Sequence, residues 1–119
     1  MHRDLKLENI LINNIDSEKH IEIRIADLGL ATLLPENRMN LKRMCGSPSY
    51  IAPEIFKGIG YREKCDIFSI GSIFFNLLTG RYLFPGTSDQ EVLEQNMICD
   101  LKNMSQYIKE ADIVIVAEV

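Results

Sequence analysis

The sequence predicts an α+β fold, mainly α-helical, with one short β-hairpin near its start. Three observations carry this. Ile21, Ile23 and Ile25 alternate with Glu22, Arg24 and Ala26, the period of a strand rich in β-branched residues. Residues 66 to 79 hold the densest apolar stretch, at helical spacing. Between them, residues 28 to 53 keep no period and are broken by Gly29, Pro35, Gly46, Pro48 and Pro53.

Each element follows in order. The chain opens on a polar, charged stretch, residues 2 to 9, and then turns apolar at Ile10, Leu11 and Ile12. That run and residues 21 to 25 pair as a hairpin with one face buried, and the polar link from Asn13 to His20 connects them. The hairpin's ends carry Asn9 and Asp27. An irregular segment as long as 28 to 53 inside a small domain is usually either functional or a mis-assigned element. In residues 66 to 79, Ile67, Ile70, Phe74, Leu77 and Leu78 form a stripe, with Phe68, Ile73 and Phe75 on the other sides. A helix apolar nearly all round is expected to be buried. Asp66 stands at its start, where a carboxylate can cap backbone N–H groups, and Gly80 stops it. Pro85 and Gly86 make a turn. A further helix begins after Ser88, with Val92, Leu93 and Met97 inward. Lys109 to Val119 ends in the apolar run 113 to 117, which fits a buried strand or the start of a buried helix equally well.

With 119 residues the chain suits one domain, large enough to bury a real core. It is 46% hydrophobic and 25% charged, with mean hydropathy near zero, which excludes disordered, collagenous and coiled-coil classes. No run approaches the roughly 20 apolar residues of a membrane helix, and no apolar stretch follows a basic start as in a secretory signal. The net charge of −4 is uneven: residues 1 to 26 sum to −1, 27 to 87 to +2 and 88 to 119 to −5. The small basic group Arg38, Lys42 and Arg43 reads as a solvated loop face, not a nucleic-acid stripe. Cys45, Cys65 and Cys99 lack a metal or disulfide spacing and read as free thiols in a reducing, cytoplasmic setting. The expected partners therefore include no nucleic acid and no membrane.

The chemistry lies in an ordered set of short motifs. HRDLKLEN (2–9) precedes the hairpin. DLG (27–29) follows it, then SPSYIAPE (47–54), then DIFSIG (66–71) on the apolar helix. This order resembles the C-terminal lobe of the eukaryotic protein kinase domain, from about residue 1 to 98. HRDLxxxN and APE match in full. DLG departs from the family's DFG at Leu28, and Phe68 stands where the family usually has Trp. Phosphoryl transfer needs an oriented hydroxyl and neutralised phosphate charge, with little covalent work for the protein.

The resemblance implies roles residue by residue. Asp4 would accept the proton of the substrate hydroxyl, Lys6 would place a cation near the γ-phosphate of ATP, and Asn9 would act beside them. Asn9 and Asp27 would supply hard oxygen ligands to Mg²⁺. On the binding side stand Leu11, resembling the floor of the adenine pocket, and Glu8, placed where basic-directed kinases often hold an acid. His2 is expected to pack, and Leu28 to fill the slot of the missing Phe. Ser47 matches the hydroxyl that links Asp4 and Lys6 in serine/threonine kinases. Asp66 resembles the helix carboxylate that binds the catalytic-loop backbone. Glu54 would normally pair with a later arginine, and Arg62 and Arg81 are wrongly placed for it. Arg3 marks the type whose arginine meets an activation-segment phosphate. Yet Leu33 to Gly46 contain no Ser, Thr or Tyr, and Arg43 occupies the usual phosphosite position. Phosphorylation there is therefore not expected to be the switch. The segment resembles that of calcium/calmodulin-dependent kinases.

Within residues 1 to 119 the resemblance assigns a catalytic loop (2–9), an activation segment (27–54), the apolar helix (66–79) and a weakly matched tail (99–119). The Gly-rich phosphate loop, strand lysine and partner glutamate are expected in an N-terminal lobe ahead of Met1, so this chain alone is expected to be inactive. The implied activity is ATP-dependent phosphorylation of serine or threonine on a protein substrate, with a regulatory protein as a further partner. The alternative is an inactive kinase-derived module that binds a partner protein. An unrelated metal-dependent phosphohydrolase using Asp4 and Asp27 explains neither APE nor the apolar helix.

Overall fold

The computed structural model describes residues 1–34, 36 and 40–111. Pro35, Arg38 and the apolar run 113 to 117 lie outside them. Among the described residues, four helices and one two-stranded antiparallel sheet make up the α+β architecture. A 3-10 turn at Leu7–Asn9 leads into β1 (Ile10–Ile15), which pairs with β2 (Ile21–Ile25). Ile10 faces Ile25 and Ile12 faces Ile23, and the register shifts between Ile12 and Asn14. Asp16 builds the hairpin turn, its carboxylate accepting the N–H groups of Glu18 and His20 at 2.9 Å each. The strands run past the expected polar link because Asn14 and Ile15 continue the ladder.

The expected buried face of the hairpin is not found. Apart from half-buried Ile10, every strand residue is exposed, including Leu11, Ile12, Ile15, Ile21, Ile23 and Ile25. Period-2 alternation fixes which residues share a face, and a separate layer must then cover that face. No described element does so.

α1 (Pro53–Phe56) starts with proline in its first turn. α2 (Lys64–Thr79) begins two residues before the expected start and ends at Gly80, whose φ of 68° closes the helix in the left-handed region. Its burial corrects the sequence reading. Ile67, Ile70, Phe74 and Leu77 are between 50 and 66% exposed. The packed side carries Cys65, Ser69, Ser72, Ile73 and Phe75. Small side chains let the helix backbone approach the 48–55 segment, and Ser69 Oγ donates to the Tyr50 carbonyl at 2.8 Å.

α3 (Asp89–Ile98) is capped by Ser88, whose Oγ accepts the Glu91 N–H. Val92 is buried and Leu93 packs on the core. Met97, expected inward, is exposed, and Asn96 is fully buried in its stead. α4 (Met104–Glu110) takes up the beginning of the undecided C-terminal stretch as helix. α1 packs on α3 and α2 on α4.

The core forms two clusters. Ile51, Ala52, Ile55, Tyr61 and Cys65 make the first, and Leu5, Tyr50 and Ile73 the second. Both join the first residues of the chain to the 50–55 segment and α2. The three cysteines are free, and no described helix is long and apolar enough to cross a membrane.

Two core acids set an alkaline limit. Burial, then the nearby charges of Asp66 and Glu54, pushes the Cys65 thiol from 9.0 up to about 12. Burial, then the charge of Glu8, pushes the Tyr50 hydroxyl from 10.0 up to about 12. The folded chain keeps these protons at pH values where the unfolded chain releases them. Their stabilisation is complete below about pH 9 and lost as pH rises toward 12. Urea midpoints should fall between pH 8.5 and 11, and less steeply in Cys65→Ala. A midpoint flat across that range would remove these two groups as the cause.

Candidate active site

The stretch from His2 to Asn9 turns sharply at Arg3, whose φ is 69°. A non-glycine residue there costs free energy and needs fixing by its surroundings. The fixing comes from α2. Asp66 sits in its first turn, but its carboxylate serves another segment: Oδ2 accepts the His2 N–H at 2.7 Å and Oδ1 the Arg3 N–H at 2.8 Å. The His2 ring bridges in turn to the end of the hairpin. Its Nε2 lies 2.9 Å from the Ala26 carbonyl and its Nδ1 accepts the Asp4 N–H at 3.3 Å. These two bonds together set the Nε2–H tautomer.

Asp4 then meets two side chains from opposite directions in sequence. Ser47 Oγ donates to Asp4 Oδ1 at 2.7 Å, and Lys6 Nζ lies 3.2 Å from Asp4 Oδ2. Lys6 Nζ also donates to Ser47 Oγ at 3.0 Å, closing a three-membered ring of contacts. Asp4 is 11% exposed and Lys6 24% at their side chains, so the pair reaches solvent without being dispersed in it. The ring offers one carboxylate and one cation, held at fixed separation, to a molecule arriving from outside.

Asn9 is buried beneath it. Its Nδ2 donates to the Asp4 carbonyl at 2.9 Å, which leaves Oδ1 as the end free to face a cation. The Ala26 N–H donates to the Asn9 carbonyl at 2.8 Å, bringing the start of β1 beside the segment that leaves β2. Asp27 follows at once, with φ 59°, exposed, its Oδ1 accepting the Gly29 N–H at 3.1 Å. An amide oxygen and a carboxylate at one end of a hairpin suit a hard divalent cation that keeps water and phosphate as its remaining ligands.

The other candidates are spread around this centre. Leu11 is half exposed on β1, opposite Arg24. Glu8 is exposed and close enough to Tyr50 for its charge to disfavour ionisation of that hydroxyl. Glu54 lies in the first turn of α1 and makes no ion pair among the described residues. Leu28 departs from expectation: it is 69% exposed, on the wall of an open hollow of about 470 Å³ shared with Met1, His2, Ala31, Thr32 and Leu33.

Arg3 is the most heavily engaged side chain. It is 9% exposed, with Nε donating to the Leu30 carbonyl at 2.6 Å and Nη1 to the Tyr61 hydroxyl at 3.3 Å. The Tyr61 hydroxyl in turn donates a hydrogen bond to the Arg43 carbonyl at 2.6 Å. Burial raises the Tyr61 hydroxyl above its ordinary value, although the Arg3 contact opposes this, so it stays a donor. A backbone bridge between Leu41 and Tyr61 adds to the same tie. Gly46 completes the approach: at φ 121°, a Cβ there would stand 3.0 Å from the Arg3 carbonyl.

Tyr61 and Asn96 were not legible as site residues. Tyr61 lies in a stretch without period, and its partner carbonyl is 18 residues away. Asn96 gave one usable signal, a polar residue between the predicted inward positions Leu93 and Met97.

The family model described as "Protein kinase domain" matches residues 1–117. The "Probable serine/threonine-protein kinase 2" of Plasmodium falciparum (isolate K1 / Thailand) is 41% identical over 96% of this chain and 22% of its own length. "Myosin light chain kinase A" of Dictyostelium discoideum is 38% identical over 90% of this chain and 35% of its own. "Calcium-dependent protein kinase 5" of Plasmodium berghei (strain Anka) is 46% identical over 80% and 16%. The chain thus spans about a third or less of these relatives. Read with the Asp4, Lys6 and Ser47 ring, the matches establish that this chain belongs to the protein kinase domain family.

Proposed function

We propose that this chain supplies the C-terminal, catalytic-loop part of a serine/threonine protein kinase, and that phosphoryl transfer takes place in a longer parent protein. The ring of Asp4, Ser47 and Lys6 is the observation that carries the reading. Residues 2–9 act as the catalytic loop and 27–54 as the activation segment. Asp4 orients the serine or threonine hydroxyl of a protein substrate. It takes the proton as the hydroxyl oxygen bonds the γ-phosphorus of ATP and the bond to the departing ADP breaks. Lys6 holds positive charge against the transferring phosphoryl oxygens. Asn9 Oδ1 and the Asp27 carboxylate are the groups that would hold Mg²⁺, which when bound neutralises phosphate charge. Leu11 underlies the adenine. Glu8 faces the substrate peptide and favours a basic residue near the phosphosite.

Arg3 is already satisfied by a carbonyl and a hydroxyl, which supports an activation segment held without phosphate. The test is phosphate transfer from radiolabelled ATP to serine peptides with and without an upstream arginine. Both the 119-residue chain and a longer protein carrying a Gly-rich loop and strand lysine are assayed. Transfer by the longer protein and none by the chain alone is expected. A longer protein that binds ATP and transfers nothing would overturn the reading.

A further inference from the structure

The loop that carries Ser47 to the site is held by its carbonyl groups. Within it, the Tyr50 and Ile51 N–H groups both return to the Ser47 carbonyl, at 3.0 and 3.1 Å. That leaves the next carbonyls in need of donors from elsewhere. Ser69 of α2 supplies one for Tyr50. Asn96 of α3 serves two more: its Nδ2 donates to the Ile51 carbonyl at 2.6 Å and lies 3.3 Å from that of Pro48. Asn96 is 0% exposed, and its Oδ1 is buried with no partner among the described residues. An orphaned buried oxygen is costly, and an apolar residue of the same size would avoid it. The amide orientation is set, because the flipped form would point Oδ1 at two carbonyl oxygens.

We infer that Asn96 is a positioning residue, which fixes the 48–51 loop from α3 and through it seats Ser47 between Asp4 and Lys6. This deepens the kinase reading and rests on it for the catalytic consequence, while the anchoring itself is measurable in this chain without activity. Asn96 touches neither nucleotide nor phosphate. It acts on the loop carbonyls, the loop sets Ser47, and Ser47 sets the carboxylate that orients the hydroxyl.

Two variants separate anchoring from packing. Asn96→Leu removes the orphaned oxygen but also leaves the Ile51 carbonyl without its donor, so its thermal midpoint should fall by about 5 °C while the chain stays folded. Its amide protection factors at Tyr50 and Ile51 should fall about tenfold, the equivalent of one lost hydrogen bond. Asn96→Asp places a carboxylate against two carbonyls, and only the protonated acid can donate. Its protection at the same amides should approach the native value near pH 5 and decline as pH rises, a profile that space-filling alone does not produce. In the longer protein Asn96→Leu should lower kcat for peptide about tenfold and leave the KM for ATP unchanged. Native protection at Tyr50 and Ile51 in folded Asn96→Leu would overturn the inference. A parallel rise in the KM for ATP would do so as well. A longer protein that is inactive before any substitution counts against the kinase reading alone, since the protection factors decide the anchoring independently.

Discussion

If the proposed function holds, Asp4→Asn in the longer protein is expected to lower peptide phosphorylation by about 10²- to 10⁴-fold, the range of a lost proton acceptor in the transition state. Asparagine has the same shape and can still accept the Ser47 hydroxyl. It cannot accept a proton at neutral pH, and its amide would face Lys6 Nζ, which now lies 3.2 Å from a carboxylate oxygen. The structural effect is small by comparison. The Asp4–Lys6 pair reaches solvent, so its loss costs about 1 kcal/mol or less. Single-turnover transfer, with the thermal midpoint measured alongside, separates the two. Loss of turnover with ATP affinity retained and the midpoint within a few degrees is the expected pattern. Activity within threefold of the unsubstituted protein would remove Asp4 from the reaction.

Asp66→Ala should act on the fold itself. The carboxylate accepts two backbone N–H groups, from His2 and Arg3, at 2.7 and 2.8 Å. Hydrogen bonds to a charged group contribute about 1.5–3 kcal/mol each, and the pair is not fully additive, so a loss of about 3 kcal/mol is expected. Arg3 keeps its side-chain bonds to Leu30 and Tyr61, so its left-handed backbone stays held and gives little relaxation to offset this loss. For a chain of this length the thermal midpoint should drop by roughly 10 °C. Asp66→Asn should fall between the two, since one amide hydrogen would then oppose a backbone N–H. Circular-dichroism melts decide the matter, and a shift under 2 °C in Asp66→Ala would show that the two bonds are replaced by water at no cost.

These residues also show what could be read before the structure. Asp4, Lys6 and Asn9 lie within one short motif, and the hairpin that carries Asn9 toward Asp27 announces itself by local alternation. Such features are properties of neighbouring residues. The contacts of Arg3 with Leu30 and Tyr61 span 27 and 58 positions and end on a carbonyl and a hydroxyl, groups that carry no sequence pattern. The reading of α2 failed for a related reason. Apolar content indicates a helix that wants cover, while Cys65, Ser69 and Ser72 decide which side lies close to another backbone. Size, not hydrophobicity, chose the packed face. The same limit hid Asn96, whose burial follows from the carbonyls it meets.

The uncovered isoleucines of the hairpin and the open stripe of α2 bear on how this chain behaves as a material. Ile12, Ile15, Ile21, Ile23, Ile25, Ile67 and Ile70 are all at least half exposed. Dyes such as ANS report apolar surface, and their brightening is commonly taken as the mark of a molten globule. Here they will light up on natively packed protein. Structure loss has to be followed instead by signals from the fixed environments of buried aromatic rings, such as Tyr50 and Phe75 in near-UV dichroism. Sulfate, which is excluded from protein surfaces and strengthens apolar association, will salt the chain out early.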